Sequence, residues 1–295
     1  MSSPAPIAPD RVPAPPLGVV LMRGALRVLS RTSPSTASKL AADLFMTPRR
    51  YRTPERERDL LAEATPFDVK LGESSTLRAW SWGSGPLVIL VHGWEGRGSQ
   101  LAPFVAPLVE RGHRVVTFDA PGHGASDGNR SSLPHFTWGL RGVIDHIGET
   151  PHAVIAHSLG CAATTLALRD GLSVQRLVFV APPLNPVEYT ARFAEILELQ
   201  QPILDRMRAR IEERFLRKWS DYSLEETARE LRTPLLIVHD RDDQDTFHRE
   251  GAALAAVWRG ARLITTEGLG HRRILRDAKV IEAATGFIAA SHERQ

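Results

Sequence analysis

Residues 154–160 read VIAHSLG, a short apolar run that ends at a serine and is followed at once by a second apolar segment. The residues from 152 to 156 predict a buried strand, and those from 159 to 169 predict a helix. The turn between them must be sharp, so the positions two before and two after Ser158 need small side chains, and Ala156 and Gly160 stand there. Such a turn exposes the Ser158 hydroxyl above the edge of the sheet.

Strand and helix patterns alternate on both sides of this turn. The sequence predicts strands at 77–82, 87–91, 114–118, 174–180, 235–238 and 261–265, and helices at 101–111, 134–148, 248–258 and 276–291. The run LVILV at 87–91 is apolar at every position, which is typical of a strand buried on both faces. The alternation predicts an α/β fold in which helices flank a mostly parallel central sheet.

A long segment without strands interrupts the alternation at 183–232. Its apolar side chains recur at helical spacing, with charged residues mainly on the other side: Phe193, Ile196, Leu199, Ile203, Met207, Ile211 and Phe215. This pattern predicts an amphipathic helix with a kink near Pro202. We interpret 183–232 as a helical cap inserted into a core formed by 65–182 and 233–295; an ordinary covering helix is the alternative.

Residues 1–64 form an N-terminal extension ahead of the core. The first sixteen are rich in Pro, Ala and Ser and are predicted to be disordered. Two helices are predicted, at 17–30 and 35–46, and the charged stretch Arg49–Arg58 is interpreted as a connector. The segment Leu17–Leu29 is too short and too charged to span a bilayer. We expect it to dock on the domain; contact of a basic amphipathic helix with a membrane surface is the alternative left open.

Composition narrows the function classes. The formal net charge is +3 and the charges are interspersed, which gives no support for nucleic-acid binding. The chain has one cysteine, Cys161, so no intramolecular disulfide can form, and we expect a packed residue in a cytoplasmic protein. No secretory signal pattern is present. The sequence also has no metal-ligand spacing and no phosphate-binding glycine loop, so we expect no cofactor and no metal. The sequence does not determine the oligomeric state.

The turn at Ser158 resembles the nucleophile elbow of the α/β-hydrolase family, usually G-x-S-x-G, with Ala156 where glycine is commoner. The resemblance extends over most of 67–290 and leaves the extension and the cap outside. It implies an α/β-hydrolase fold with Ser158 as nucleophile. It also implies a histidine base after the last strand and an acid after an earlier one.

In this family pattern His271, in GLGH at 268–271, is the base, and an acid in the loop after strand 235–238 orients it. Alignment with the family's strand-His-Gly-x-x-Asp pattern implies Asp243, with Asp242 as the alternative. Asp240 and Asp245 are expected to form turns or to face solvent. The order serine, aspartate, histidine is that of the family. His157, beside Ser158, is expected to point away from it.

The segment VHGWEG at 91–96 resembles the family's His-Gly-x loop. It implies that the backbone N–H groups of Trp94 and Leu159 hold the oxyanion. A core aromatic without a donor role is the alternative for Trp94, and Glu95 and Arg97 are expected to fix the loop.

The resemblance implies a serine hydrolase that cleaves a carboxylic ester through an acyl-enzyme. The apolar cap favours a moderately hydrophobic small substrate. A serine nucleophile argues against the dehalogenases and epoxide hydrolases of the family, which use aspartate. Thioesterase, lactonase, amidase and acyltransferase chemistry stay open, as does a non-catalytic ligand-binding protein of the same fold.

Overall fold

The computed structural model of the chain describes residues 15–73 and 75–290. In this part of the chain, eight strands form one sheet: β1 Thr65–Leu71, β2 Ser75–Trp82, β3 Leu87–Val91, β4 Arg114–Phe118, β5 Ala153–His157, β6 Arg176–Val180, β7 Leu235–Asp240 and β8 Arg262–Thr266. Their order is β1-β2-β4-β3-β5-β6-β7-β8, and only the β1–β2 and β2–β4 pairs are antiparallel. The predicted α/β fold with a mostly parallel sheet is confirmed.

The helices are α1 Leu17–Thr32, α2 Pro34–Phe45, α3 Glu55–Ala62, α4 Val105–Glu110, α5 Leu133–Ile147, α6 Leu159–Arg169, α7 Glu188–Leu197, α8 Gln201–Phe215, α9 Leu224–Glu230, α10 His248–Val257, α11 Gly270–Arg273 and α12 Ala278–Ala289. Three 3-10 helices span Gly98–Phe104, Trp219–Tyr222 and Ile274–Arg276.

Alternate residues of the central strands serve two separate cores. In β3, Leu87, Ile89 and Val91 pack with α5, α6, α9 and α10. Val88 and Leu90 face the other way and pack with α4 and α12. Because both faces of the sheet are covered, β3, β5, β6 and β7 are apolar except at their ends, where His157, Arg176, His239 and Asp240 lie.

A third core joins two segments that are distant in the sequence. Leu26 of α1 and Ala41 of α2 pack with Leu204 and Met207 of α8, and Met207 is fully buried. At the edge of this cluster the Arg210 guanidinium donates to the Ser38 hydroxyl at 3.0 Å. The helices α1 and α2 therefore form one layer with α7 and α8, and α1 docks on the protein as expected.

The predicted kinked helix at 183–232 is wrong in one respect, because α7 and α8 are separate helices. Glu198 caps α7 in the left-handed conformation, with φ of 52° and ψ of 41°. Pro202 lies in the first turn of α8, where its missing N–H costs no hydrogen bond. The proline begins a new helix rather than bending an existing one.

The extension contains more structure than expected. The stretch interpreted as a connector contains the start of α3, and Glu57 is buried there. The disorder predicted for the first residues falls mainly on residues 1–14, outside the described part of the chain. Among the described residues, no helix combines the length and the apolar character that crossing a membrane requires.

Candidate active site

Ser158 lies at the turn between β5 and α6 in a backbone conformation that few residues adopt. Its φ is 52° and its ψ is −121°, a combination that costs of order 1–3 kcal/mol and persists where the surroundings impose it. The Ser158 N–H donates to the Val180 carbonyl of the neighbouring strand at 3.0 Å. A Cβ at Gly160 would stand 2.6 Å from the carbonyl oxygens of Val91 and His92, so this position has room only for glycine. The half-buried serine is therefore held at the apex of a sharp turn.

Asp243 and His271 are joined by a hydrogen bond of 2.7 Å between the aspartate Oδ2 and the histidine Nδ1. Asp243 is buried, and its Oδ1 accepts the N–H groups of Asp245 and Thr246 at 2.8 and 2.9 Å. Burial acts to raise the pKa of Asp243, but the His239 ring, whose Nε2 lies 3.6 Å from Oδ2, and the hydrogen bond from His271 lower it by more, so the net effect is a lowered pKa. An ionised carboxylate that accepts Nδ1–H leaves Nε2 of His271 free to take a proton.

The other carboxylates of the β7 loop hold the loop that carries His271. Asp240 is fully buried, and its oxygens accept the Thr266 hydroxyl at 2.7 Å and the N–H groups of residues 269 and 270 at 3.1 and 2.9 Å. Asp242 is exposed and accepts the Gly268 N–H at 2.8 Å. Asp240 forms a turn, as expected, because its Oδ1 also accepts the Asp242 N–H at 3.0 Å; it does not face solvent, because hydrogen bonds from the protein replace water around it.

His157 supports His271 through a hydrogen bond to its backbone. Its Nε2 lies 2.9 Å from the backbone carbonyl oxygen of His271, and the two ring centroids are 4.6 Å apart. Burial lowers the pKa of His157 to about 3, so the ring is neutral and donates one N–H to that carbonyl. Sequence reasoning missed this contact, since no local pattern connects two residues that are 114 positions apart.

The contact between His271 and Ser158 is incomplete. Across residues 15–73 and 75–290, His271 hydrogen-bonds to Asp243 but not to the Ser158 hydroxyl. The backbone of His271 is nevertheless tied to His157, the residue directly before Ser158. Hydrogen bonds between catalytic groups are often long in empty sites and tighten when substrate binds. The structure therefore brings Asp243 to His271, and His271 to the neighbour of Ser158.

The loop after β3, Gly93–Arg97, lies against the serine turn and is called the β3 loop below. A Cβ at Gly93 would stand 2.9 Å from the Ser158 Cβ. The Gly96 N–H donates to the Gly93 carbonyl at 3.0 Å and closes a four-residue turn. Within the described residues, the N–H groups of Trp94 and Leu159 have no hydrogen-bond acceptor. Two backbone donors beside the serine are thus available to a bound group.

A buried histidine holds the middle of this turn. The Glu95 N–H donates to Nε2 of His123 at 3.1 Å, while Nδ1 of His123 faces the Pro121 carbonyl at 3.1 Å. Burial lowers the pKa of His123 to about 4, so its ring is neutral, with a proton on Nδ1 and a free lone pair on Nε2. The Pro121 carbonyl requires a proton on Nδ1, and this tautomer leaves Nε2 able to accept the Glu95 N–H.

Cys161 is a packed residue of α6, as expected. It is fully buried, and burial raises the pKa of its thiol well above the usual value, so the neutral thiol is held. No group of three or more His, Cys, Asp or Glu side chains is arranged to hold a metal ion in the part of the chain that the structure describes.

Known proteins share this architecture. The model of the alpha/beta hydrolase family matches residues 88–284. A non-heme haloperoxidase from Rhodococcus erythropolis is 26% identical over 266 residues, which cover 74% of this chain and 97% of that protein.

Two solved structures illustrate the structural similarity. An esterase from Pyrococcus furiosus superposes with a TM-score of 0.62 at 19% identity, covering 82% of this chain and 98% of the other. An esterase from Exiguobacterium antarcticum gives a TM-score of 0.59 at 16% identity, covering 77% of this chain and all of the other, 100%. At such identities the similarity is evidence for the fold alone.

Proposed function

Because the chain belongs to the alpha/beta hydrolase family, we propose that it is a serine hydrolase that cleaves carboxylic esters through an acyl-enzyme intermediate. The observation that carries the proposal is the 2.7 Å hydrogen bond from the buried Asp243 to His271, beside a serine held in a strained turn. A free serine hydroxyl is a poor nucleophile, and a histidine with a fixed tautomer is the base that activates it.

In the first half of the reaction, Nε2 of His271 removes the proton from Ser158 while the serine oxygen attacks the ester carbonyl. Asp243 stabilises the imidazolium that forms, through the Nδ1–H it accepts. The N–H groups of Trp94 and Leu159 donate to the developing oxyanion. Loss of the alcohol, protonated by His271, leaves the acyl group on Ser158.

In the second half, His271 takes a proton from water, and the resulting hydroxide attacks the acyl carbonyl. The same two N–H groups hold the second oxyanion. Collapse of this intermediate returns the proton to Ser158 and releases the acid. Protein groups alone suffice for both halves of the reaction.

The surroundings favour a moderately hydrophobic small ester. Trp94 and Leu159 offer backbone donors, and their partly buried side chains add apolar surface beside the serine. We propose that the layer of α7 and α8 acts as the cap over this surface. Thioester, lactone, amide and acyl-transfer chemistry use the same groups, and a substrate panel separates them.

The first test is covalent labelling with a fluorophosphonate, followed by mass mapping of the adduct. Wild type should carry the label on Ser158, and Ser158→Ala should carry none. Ser173→Ala, which removes an exposed serine outside the site, is the matched control and should label as wild type does.

p-Nitrophenyl esters of increasing chain length, with matched thioesters and lactones, then define the substrate. A folded wild type that neither labels nor hydrolyses any of them would refute the proposal and favour a ligand-binding protein of this fold.

A further inference from the structure

The N-terminal extension contacts the β3 loop at two points, one and three residues after Trp94. Both contacts come from residues 49–57, between the end of α2 and the first turn of α3. The family match begins at residue 88, so these contacts come from a part of the chain that the match does not include.

The first contact is at Glu95. This residue has a φ of 55°, a left-handed conformation that side chains other than glycine rarely adopt. Its Oε1 accepts the Arg49 N–H at 3.1 Å, and its Oε2 lies 3.4 Å from the Tyr51 hydroxyl. Together with the Glu95 N–H bond to His123, these contacts hold both the side chain and the backbone of the residue in the turn.

The second contact is at Arg97. Its Nε donates to Oε2 of Glu57 at 2.7 Å, and the Ser99 hydroxyl donates to the same oxygen at 2.8 Å. Glu57 is 4% exposed and Arg97 8% exposed, so the pair is shielded from water. A buried, hydrogen-bonded ion pair of this kind fixes relative position more firmly than an exposed one.

Arg50, also in the extension, holds a second loop at residues 122–128. The Arg50 guanidinium donates to the backbone carbonyls of Gly122, Gly124, Ser126 and Gly128, at 2.6 to 3.2 Å. This is the loop that contains His123, the acceptor of the Glu95 N–H. The extension therefore holds both the turn and the residue that supports it.

We propose that residues 49–57 position the β3 loop for catalysis, with Glu95 and Glu57 as positioning residues that direct the Trp94 N–H toward the oxyanion. This inference rests on the proposed function, because it assigns the oxyanion to the β3 loop. Neither carboxylate touches substrate; each acts through the backbone of the loop.

The test compares Glu95→Ala, Glu95→Gln and Glu57→Gln with wild type, and uses Arg111→Gln as the control. Arg111 lies between α4 and the amino end of β4 and pairs with Glu282 of α12 at 2.8 Å; within the described residues it forms no hydrogen bond or ion pair with the β3 loop. Two quantities are measured. One is hydrogen exchange of the Glu95 and Gly96 amides; the other is inhibition by an aryl trifluoromethyl ketone, whose serine adduct carries an oxyanion, compared with KM for a p-nitrophenyl ester.

Glu95→Ala should weaken binding of the ketone about fivefold and lower kcat by a similar factor, as loss of about one hydrogen bond implies. KM should stay unchanged, and hydrogen exchange of both amides should become faster. Glu95→Gln should keep most of the wild-type kcat and ketone affinity, because its amide oxygen can still accept the Arg49 N–H. Glu57→Gln should behave like Glu95→Ala, because a neutral amide leaves the buried Arg97 guanidinium without its counter-charge. Arg111→Gln should behave like wild type.

Wild-type exchange and inhibition in Glu95→Ala, or equal changes in Arg111→Gln, would overturn the inference. Glu95 is only half-buried, so its variants keep the test decisive if Glu57→Gln does not fold. A wild type that binds no ketone and carries no label on Ser158 refutes the proposed function instead. The exchange rates then still decide whether the extension holds the loop.

Discussion

Replacement of Asp243 by asparagine should disable the base while leaving the fold intact. Oδ1 of Asp243 accepts two backbone N–H groups, from Asp245 and Thr246. An asparagine must keep its carbonyl oxygen there, because its NH₂ group cannot accept them. The NH₂ group then faces Nδ1 of His271, which has to become an acceptor, and the proton moves to Nε2. In that tautomer His271 cannot take the proton from Ser158.

The size of the loss follows from the geometry. The charge-assisted hydrogen bond alone contributes about 1.5–3 kcal/mol, or roughly 10- to 150-fold in rate. The attraction between a carboxylate and an imidazolium at the 2.7 Å Nδ1–Oδ2 separation is about 6 kcal/mol at an effective dielectric constant of about 20, or ~10⁴-fold. We therefore expect kcat/KM for Asp243→Asn to fall by a factor of about 10² to 10⁴.

The assay is initial-rate hydrolysis of a p-nitrophenyl ester, with Asp242→Asn as the matched control. Asp242 is exposed, and an asparagine oxygen there can still accept the Gly268 N–H, so its activity should stay within about threefold of wild type. Equal losses in the two variants, or a larger loss in Asp242→Asn, would refute the assignment of Asp243 as the acid.

Three further outcomes are expected. Gly93→Ala should lower kcat about tenfold or more, because its Cβ would stand 2.9 Å from the Ser158 Cβ; an equal loss in the control Gly24→Ala, where a Cβ meets nothing, would contradict this. Met207→Ala should cost about 2–5 kcal/mol in the free energy of unfolding measured with urea, and a cost no larger than that of the exposed Leu216→Ala would argue against a packed helical layer. Finally, stability should fall as pH drops from about 6.5 to 5. Burial lowers the pKa of His157 to about 3 and of His123 to about 4, so over this range the unfolded chain binds protons at both residues and the folded protein does not. The free energy of unfolding then falls by about 1.4 kcal/mol per pH unit for each group. Urea unfolding that gives flat or rising stability over this range would contradict the neutral assignment of both rings.

The central strands β3, β5, β6 and β7 were predictable because they are buried on both faces and therefore apolar except at their ends. β1 was not, since TPFDVKL lies at an antiparallel edge and only Val69 is buried there. α3 was missed for a related reason. Its sequence ERERDLLA is strongly polar, and its one buried residue, Glu57, is a charged group paired with Arg97. Hydrophobic periodicity does not detect an element that is anchored by an ion pair.

The candidate site divides in the same way. Ser158 and its small neighbours lie within one local turn, so the sequence pattern contains their geometry. Asp240 and His157 act through hydrogen bonds to the loop of His271, 30 and 114 positions away along the chain. Such supporting residues follow no local rule, because the fold alone brings the two loops together.

The layer formed by α1, α2, α7 and α8 affects how the chain can fold during synthesis. Ser38 in α2 and its partner Arg210 in α8 are 172 positions apart. At translation rates of about 5–20 residues per second, the first two helices wait roughly 10–35 seconds for α8. Throughout that interval Leu26 and Ala41 have none of their partners from the later segment. Helices α1 and α2 therefore cannot bury their apolar faces against α8 until residues 201–215 have left the ribosome.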